Sequence, residues 1–472
     1  MHAERTEFLD RLEAAIGAKN LMRHDQDLSG YEKGARYGHG RALAVARPAS
    51  TEEVSAVLRA CFAHDVPVVP QGANTGLTGA STPDEGGQML VLSLERLKAP
   101  IEIDPINRSV LVGAGVSLSQ LNQALASHGL FFPIDLGADP TVGGMIATNT
   151  GGSRLIRYGD VRRNLLGVEV VLPDAEGTVI DDLKALRKNN LGLDLKQLFT
   201  GTGGQYGIVT RAILELHPSP KDRAVALVVP RDEAAMDEIL LHLEHHAGPW
   251  LTAFESLSRA TVEVVLKHRP ALPNPFAQFD NPPDDCLLVE FSAADSESLG
   301  SSLEDFLAEQ IMALYADDGS GAVANAVFNR PEEIWGLRHS ISEAVAQEGR
   351  IIAHDISCPR SSLGEFRRRA KALLAEKYPY LKIYDFGHRG DGGEHFNLIW
   401  PHGAQPYCPE IAEEIRTDIY KIVMEGLNGS FSAEHGVGPI NRHYCEKYLP
   451  AATLAAQTAL KAHFDPKGLL GR

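Results

Sequence analysis

Glycine is concentrated in three short segments of the first half of the chain, and this constrains the fold more than any other feature. The segments are QGANTGLTG (71–79), TVGGMIATNTGG (141–152) and FTGTGGQYGIVT (199–210). Glycine adopts positive φ and lets the backbone come close to a pyrophosphate, so that main-chain N–H groups point at phosphate oxygens. One such segment is explained equally well as a tight loop without a ligand. Three in one region indicate a site for a nucleotide cofactor.

Two familiar nucleotide-binding folds do not match these segments. No GxGxxG motif follows an N-terminal strand in a βαβ arrangement, and no GxxxxGK[ST] motif occurs. Neither a Rossmann fold nor a P-loop is therefore indicated.

The length and composition of the chain limit its organisation and its partners. A chain of 472 residues is too long for one hydrophobic core, so we expect two or three domains, with a boundary at Pro218-Ser219-Pro220. No apolar run is long enough to span a membrane and no signal-peptide pattern begins the chain, so a cytoplasmic location is expected. The net charge of −17 argues against nucleic-acid binding. The five cysteines are scattered without a CxxC pair, so neither disulfides nor an iron–sulfur cluster are expected.

Strand and helix patterns alternate along the chain. Before residue 220 they predict a helix at 5–16, a strand at 42–46, a helix from 51 that is capped by Ser50 with Glu53, and an apolar strand at 165–172. Beyond residue 220 the strand–helix–strand pattern predicts a separate α+β unit with an antiparallel sheet, followed by a largely helical C-terminus.

A second group of residues has the composition of a catalytic metal site. His388 and His395 flank a glycine-rich turn in GHRGDGGEHFN, and Glu434 with His435 follows about forty residues later. Two imidazoles and one carboxylate leave a fourth position open for water or substrate, as in catalytic zinc sites. Either histidine alone is more often an ordinary polar residue of a strand, so the prediction depends on the combination.

The spacing of the two histidines can be compared with strand geometry. Along a straight strand, His388 and His395 would lie on opposite faces, whereas a chain reversal at residues 390–393 can bring both to one face. Asn397 then shares that face with His395, because side chains alternate with a period of two.

Five motifs, in this order, resemble those of one family: PQGANTGLTGA, the segment from Pro133 through TVGGMIATNTGG to Tyr158-Gly159, GTGGQYGIVTRAILEL, GHRGDGGEHFN and SAEHGVG. They resemble the FAD-linked D-2-hydroxy acid dehydrogenases, which belong to the flavoenzyme superfamily of vanillyl-alcohol oxidase and p-cresol methylhydroxylase (PCMH). The nearest branches are the D-2-hydroxyglutarate and D-lactate dehydrogenases, with the glycolate oxidase flavin subunit close by.

The resemblance implies an α+β fold with two domains, of the PCMH type. It implies an FAD-binding domain at residues 1–220, an α+β substrate-binding domain at 221–415, and a C-terminal helical segment at 416–472 that packs on the FAD domain.

The resemblance also implies which residues hold FAD. The expected cofactor-binding set is Pro70, Gly72, Ala73, Asn74, Thr75, Gly76, Gly79, Asp135, Thr141, Gly144, Thr148, Asn149, Gly151, Gly152, Gly207, Ile208 and Val209. Asn74 stands where some members of the superfamily carry a histidine that is bonded covalently to the flavin. Because asparagine has no such nucleophile, we expect noncovalent FAD.

The implied activity is oxidation of a D-2-hydroxy acid to the 2-keto acid, with hydride transfer to flavin N5. We expect His388, His395 and Glu434 to hold Zn²⁺, with Mn²⁺ or Co²⁺ as less favoured occupants. A Lewis acid at this position lowers the pKa of the substrate hydroxyl. His435 is the expected general base, since the unperturbed pKa of imidazole lies near neutrality.

The expected substrate-binding residues are Arg338, Ser342, Asn397 and His435. Arg338 stands where the family places an arginine for the substrate carboxylate, which a guanidinium binds through two parallel hydrogen bonds. Ser342 would lie beside it, one helical turn later.

The chain departs from the family pattern at several positions. Ala353 replaces a lysine that holds the second carboxylate in dehydrogenases for the five-carbon dicarboxylate, which counts against D-2-hydroxyglutarate as substrate. Gly204 replaces a usual glutamate, Leu193 an aromatic residue and Asn441 a frequent lysine, and the usual Asn-Pro-Gly-Lys tail is missing. These changes affect the expected substrate and leave the expected fold and cofactor unchanged.

The electron acceptor is expected to be a quinone, a cytochrome or an electron-transfer flavoprotein rather than NAD. Two alternatives stay open: an oxidase that is reoxidised by O₂, and the flavin subunit of a larger complex that needs an iron–sulfur partner. A homodimer also stays open. A purely structural or sensing role is least favoured, because the metal residues and His435 are all present.

Overall fold

The computed structural model describes residues 2–24 and 26–471. The strands up to residue 218 are β1 (Leu21–Met22), β2 (Ala42–Ala46), β3 (Val68–Gln71), β4 (Met89–Ser93), β5 (Ile101–Asp104), β6 (Ser109–Gly113), β7 (Leu130–Phe131), β8 (Leu165–Val171), β9 (Val179–Asp182), β10 (Ile208–Glu215) and β11 (His217–Pro218). The helices of this part are α1 (His2–Ile16), α2 (Ser29–Glu32), α3 (Thr51–Ala63), α4 (Leu118–Ala126), α5 (Val142–Thr148), α6 (Leu155–Tyr158) and α7 (Leu195–Phe199).

The second half of the chain adds one larger sheet and more helices. Its strands are β12 (Asp222–Pro230), β13 (Leu251–Ser258), β14 (Asp285–Ala293), β15 (Val323–Phe328), β16 (Gly349–Ser357), β17 (Lys382–Gly387) and β18 (Gly393–Pro401). Its helices are α8 (Glu233–Ala247), α9 (Arg259–His268), α10 (Leu303–Met312), α11 (Pro331–Ala346), α12 (Leu363–Lys377), α13 (Pro409–Lys421), α14 (Gly438–Tyr448) and α15 (Ala451–Phe464). In the described residues, every helix is too short or too polar to cross a membrane.

The first sheet is a small parallel sheet with the strand order β1-β2-β4-β3, in which only β1 is antiparallel to its neighbour. All five residues of β2 are buried, as expected for a parallel strand with both faces covered. α3 connects β2 to β3 and begins after Ser50, whose hydroxyl accepts a hydrogen bond from the N–H of Glu53. The Glu53 carboxylate accepts from the N–H of Ala49 rather than of Ser50, so the predicted capping box is only half formed.

The second sheet is antiparallel, with the order β5-β6-β10-β8-β9, and shares one hydrophobic core with the first sheet. The second glycine segment lies against it and is partly helical, because Thr141 caps the N-terminus of α5. A Cβ at Gly143 would lie 2.9 Å from the Cβ of Ala114, so a larger residue would push α5 away from the sheet. This glycine segment therefore contributes a helix to the wall of the site.

The third sheet has seven antiparallel strands in the order β15-β12-β14-β13-β17-β18-β16. Helices α8 and α10 pack with one face of this sheet, and α9 and α11 pack with the other. A fourth, two-stranded sheet pairs β7 with β11. The combination of a mainly parallel sheet, three antiparallel sheets and many helices is the expected α+β class.

The helical segment after residue 416 divides between two cores. Ile419 and Tyr444 pack with Phe396 of the seven-stranded sheet, whereas Phe464 and Leu470 pack in the core of the first two sheets. The residues between these two parts also contact the first unit, since Glu434 accepts a hydrogen bond from the N–H of Gly152 and Gly438 packs on Thr78. The domain limits themselves stay a prediction.

Asp465 fixes the end of the chain. Its buried carboxylate accepts hydrogen bonds from the N–H groups of Leu469 and Leu470, both at 2.8 Å, and from Nζ of Lys461 at 2.6 Å. The carbonyl of Leu469 in turn accepts from the N–H of Val68, which attaches the tail to the edge of β3.

Replacing Asp465 by Ala is expected to lower the free energy of unfolding by about 2–4 kcal/mol, because two backbone donors and an ammonium group lose their buried partner. Urea unfolding followed by circular dichroism measures this. The control is Asp317→Ala, at an exposed position, which should change the free energy by less than about 0.5 kcal/mol. Equal effects of the two substitutions would contradict the role assigned to Asp465.

Candidate active site

A cavity of about 440 Å³ lies where the glycine segments meet the seven-stranded sheet. Its walls are formed by the residues that follow β3, by α5, by the start of β10, by α11, and by side chains of β16 and β18. This is the volume of an ordinary small-molecule site. Residues from both halves of the chain line it, so both halves can act on one ligand.

Most residues that were predicted to bind FAD line this cavity. They are Pro70, Gly72, Ala73, Asn74, Thr75, Gly76, Asp135, Thr141, Gly144, Thr148, Gly152, Gly207, Ile208 and Val209. The backbone N–H groups of residues 72–76 donate to no other described residue. A Cβ at Gly72 would lie only 2.2 Å from Oγ1 of Thr141, so no side chain fits at this position. A loop with unpaired N–H groups and no side chain in the way suits the phosphates of FAD.

Three residues of the predicted cofactor set lie outside the cavity wall. The amide of Asn149 is hydrogen-bonded to the Asp160 carboxylate and to the N–H of Arg162. Gly79 packs on Gly38, and a Cβ there would lie 3.3 Å from the Gly38 Cα. Gly151 borders the side chain of Glu434 instead. In each case the tight packing of neighbouring segments explains the residue type.

The side chain of Asn74 is used to hold a neighbouring loop. Its Nδ2 donates to the carbonyl oxygen of Lys33 at 2.7 Å, and its Oδ1 accepts from the hydroxyl of Ser81 at 2.8 Å. The residue has φ of 55°, which asparagine tolerates better than most residues. That FAD is bound noncovalently stays a prediction.

The three predicted metal ligands converge at one point of the cavity. Nε2 of His388 and Nε2 of His395 are 3.2 Å apart, and each lies 3.4 Å from Oε1 of Glu434. Ligand atoms about 2.0–2.1 Å from a tetrahedral Zn²⁺ would be separated from each other by about 3.3–3.4 Å. The donor set and its spacing therefore fit a zinc ion with one open position toward the cavity.

The predicted chain reversal creates this convergence. β17 and β18 form an antiparallel pair in which Phe386 lies opposite His395, and His388 lies in the turn between them. Gly392 has φ of 96°, and a Cβ there would lie 2.3 Å from the carbonyl oxygen of Cys358. Arg389, which is almost fully buried, fixes the turn from behind through ion pairs with the carboxylates of α8.

Glu255 of β13 holds the predicted metal ligand His388 in place and was not itself predicted. Its Oε1 is 2.7 Å from Nδ1 of His388, and its Oε2 accepts from Nε of Arg338, also at 2.7 Å. A carboxylate on the outer nitrogen of a histidine fixes the ring and makes it a stronger metal ligand. Burial opposes ionisation of Glu255, but His388 and Arg338 outweigh it and lower the pKa of this carboxyl.

The three predicted metal ligands, His388, His395 and Glu434, form a triad in which the charge of each residue shifts the pKa of the others. Burial disfavours a charged His388, but Glu255 and Glu434 together raise its pKa well above the ordinary value. Burial and the neighbouring His388 hold the pKa of His395 well below the ordinary value. Against the effect of burial, His388 lowers the pKa of Glu434 well below the ordinary value, so this carboxylate is ionised.

His435 lies beside this triad and lines the cavity. Its ring stacks on that of His395 at a centroid distance of 5.2 Å, and its Nδ1 is 3.6 Å from Oδ2 of Asp355. The same oxygen accepts hydrogen bonds from the N–H groups of Glu434 and His435, at 3.0 and 2.7 Å. Asp355 therefore fixes the backbone that carries both side chains.

A second group of carboxylates and imidazoles has ligand-type atoms that all lie within 4.8 Å of one another. Its members are Asp355, His395, Glu434 and His435. This group is a weaker candidate for the metal, since its ligand-type atoms are spread over distances of up to 4.8 Å. The closer atoms of His388, His395 and Glu434 have the spacing that zinc requires.

The predicted substrate residues also border the cavity. Arg338 and Ser342 lie on α11, Asn397 lies on β18, and all three line the wall. Among the described residues, the Arg338 guanidinium is hydrogen-bonded only through Nε, so its two Nη groups stay available for a carboxylate. Ala353 lines the same cavity, and its small side chain leaves space on that side.

The residues missed by the sequence analysis had weak local signals. Glu255 is the one acidic residue in the apolar strand LTAFESLS, which indicates a buried carboxylate without naming its partners. Asp355 lies in IAHDIS between two buried isoleucines, where a carboxylate also needs a specific reason.

Family models match both halves of the chain. The model described as FAD binding domain matches residues 42–181. The model described as FAD linked oxidases, C-terminal domain, matches residues 219–472, which is more than half of the chain.

Individual relatives extend over nearly the whole chain. D-2-hydroxyglutarate dehydrogenase of Xanthomonas citri pv. viticola is 33% identical, over 97% of this chain and 94% of that protein. The mitochondrial D-2-hydroxyglutarate dehydrogenase of Arabidopsis thaliana is 30% identical, over 96% of this chain and 79% of that protein. A crystal structure of p-cresol methylhydroxylase with substrate bound superposes with a TM-score of 0.74 over 100% of this chain and 96% of that chain, at 18% identity. The last similarity concerns the fold, which is the predicted PCMH type.

Replacing Glu255 by Gln is expected to weaken zinc binding by roughly 10- to 100-fold, because His388 loses its charged partner. Zinc content after dialysis against graded chelator concentrations, measured by atomic emission, tests this. Glu348→Gln is the control, since that buried carboxylate pairs with Lys267, His268 and Lys382 away from the site. Equal zinc retention in both variants would show that Glu255 does not support the metal.

Proposed function

The chain belongs to the family of FAD-linked D-2-hydroxy acid dehydrogenases, and on this premise we propose that it uses FAD together with a zinc ion to oxidise a D-2-hydroxy acid to the 2-keto acid. The observation that carries the proposal is the set of three ligand atoms, 3.2–3.4 Å apart, in the cavity that the glycine loop also lines. Mn²⁺ and Co²⁺ are less favoured occupants.

The residues 72–76 would hold the cofactor pyrophosphate through their unpaired N–H groups. When bound, FAD would accept the hydrogen of the substrate Cα as a hydride at N5. Noncovalent attachment is supported by Asn74, whose amide groups are already hydrogen-bonded to the protein.

His388, His395 and Glu434 would hold the metal ion. When bound, the ion would act as a Lewis acid on the substrate hydroxyl and lower the pKa of that group. Glu255 keeps the ring of His388 oriented for this purpose through its hydrogen bond to Nδ1.

His435 would accept the hydroxyl proton at Nε2, while Asp355 beside Nδ1 fixes the orientation of the ring. Arg338 would bind the substrate carboxylate through its free Nη groups, and Ser342 and Asn397 supply polar contacts nearby. Hydroxyl and carboxylate are thus oriented by different walls of one cavity.

Relatives named as D-2-hydroxyglutarate dehydrogenases favour a dehydrogenase. We propose a quinone, a cytochrome or an electron-transfer flavoprotein as its electron acceptor. An O₂-using oxidase and a flavin subunit of a larger complex are the alternatives. A cytoplasmic location is retained as a prediction, since the Arabidopsis relative is named as mitochondrial and the Xanthomonas relative carries no such label.

The proposal is tested by anaerobic addition of D-2-hydroxyglutarate, D-lactate, D-malate and longer D-2-hydroxy acids to the purified holoprotein, with the flavin absorbance as readout. One D-isomer should bleach the flavin, a chelator should abolish the bleaching, and zinc should restore it. Acid precipitation should release all the flavin into solution. A flavin that none of these acids reduces would contradict the proposed reaction, and rapid peroxide formation in air would favour the oxidase.

Replacing His435 by Asn should lower kcat by about 10²- to 10⁴-fold, because the hydroxyl proton loses its acceptor. FAD and zinc contents should stay at the level of the unmodified protein. Steady-state rates with an artificial electron acceptor measure the effect, with exposed His402→Asn as the control. A variant that keeps its kcat would remove His435 from the mechanism.

A further inference from the structure

Arg36 enters the cavity from a short N-terminal loop, residues 33–39, that the sequence analysis did not single out. A β-bridge between Lys33 and His39 closes this loop, and the N–H of Gly34 donates to the carbonyl of Gly38 at 2.9 Å. Asn74 of the cofactor loop holds the same segment through its hydrogen bond to Lys33. The position of Arg36 is therefore fixed by the loop expected to bind the FAD pyrophosphate.

Arg36 is a partly buried cation without a protein partner. Within residues 2–24 and 26–471, no carboxylate forms an ion pair with it and no acceptor takes a hydrogen bond from it. Burial lowers the pKa of Arg36 from its ordinary value, and the opposing effects of Tyr37 and Asp355 do not make up for it. A buried guanidinium in this state needs an anion, and it faces the ligand cavity.

The other arginines of this region already have partners. Arg338 is bonded to Glu255, and Arg416 is bonded to Glu413 at 2.7 Å. Arg36 is thus the cation with its whole hydrogen-bonding capacity available to a ligand.

A side pocket extends from the main cavity at this point. Arg36, Leu77, Thr78, Ala353 and His435 line both spaces. Tyr37 also lines the side pocket, and its buried hydroxyl has no hydrogen-bond partner among the described residues. A polar hydroxyl and a free guanidinium therefore meet in a small pocket next to the residue expected to act as the base.

We propose that Arg36 binds the charged end of the substrate side chain, so that the enzyme selects D-2-hydroxy acids that carry a second carboxylate. The inference rests on the proposed hydroxy-acid oxidation and adds the residue that determines specificity. Arg338 would bind the carboxylate at C1 and Arg36 the distal carboxylate, with the hydroxyl between them near His435. The small side chain of Ala353 leaves room for that distal group on the wall shared with Arg36.

The test compares Arg36→Gln with the unmodified holoenzyme on two substrates of equal chain length, D-2-hydroxyglutarate and D-2-hydroxypentanoate. The variant should lose roughly 10- to 100-fold in kcat/KM for the dicarboxylate, mainly through KM, because a charged hydrogen bond is removed. Its kcat/KM for D-2-hydroxypentanoate should change less than about threefold, since neutral side chains gain little from a cation. Arg41→Gln, at an exposed position that lies outside both pocket walls, is the matched control.

A second variant keeps the test independent of folding. Ala353→Lys in the Arg36→Gln background supplies a cation on the wall that Ala353 shares with Arg36 and should recover most of the lost dicarboxylate activity. Equal losses on both substrates, or no loss on either, would overturn the role of Arg36 even if the hydroxy-acid oxidation itself is confirmed. If the unmodified holoenzyme is not reduced by any D-2-hydroxy acid, the proposed function fails and this inference fails with it.

Discussion

Glu255 is a fully buried carboxylate that neutralises two cations at once, and the arrangement of the active site depends on it. One oxygen bonds to His388 and the other to Arg338. A buried charge is costly unless it is paired and hydrogen-bonded. If either His388 or Arg338 moved away, Glu255 would keep a buried charge that is only partly compensated. The central strand β13 therefore fixes, through one side chain, both the proposed metal ligand His388 and the arginine expected to bind the substrate.

Side-chain hydrogen bonds also connect the two halves of the molecule. Oε1 of Glu434 lies 3.4 Å from Nε2 of His388, where the metal is proposed to bind. The other oxygen, Oε2, accepts a hydrogen bond from the N–H of Gly152 in the second glycine segment at 3.0 Å. Arg157 of α6 donates to the carbonyl of Ser292 at the end of β14. A residue that would hold the metal is thus bonded directly to the wall that would hold the flavin.

Local patterns were reliable where the physical cause lies within a few residues. The reversal at 390–393 follows from glycine in a turn, and it correctly predicted that His388 and His395 share a face. The strand at 42–46 and the helix after Ser50 follow from apolar periodicity and a side-chain cap. Gly79 and Asn149 were assigned to the cofactor because they lie inside a motif, and in the structure they also pack against and hydrogen-bond to neighbouring segments. Their contact with FAD stays a prediction.

The sequence by itself determined the family and the α+β class, and it predicted the residues of the cofactor wall and three residues suited to a metal, because each of these is encoded in short motifs with a chemical requirement. The tertiary structure alone decided which side chains are paired and which are free. Glu255 and Arg338 are 83 residues apart in sequence, and Glu255 and His388 are 133 apart. Arg36 differs from a surface arginine because folding partly buries it beside Ala353 and, among the described residues, gives it no hydrogen-bonded or ion-paired carboxylate. Pairing of distant charges depends on which strands become neighbours, and no local pattern carries that information.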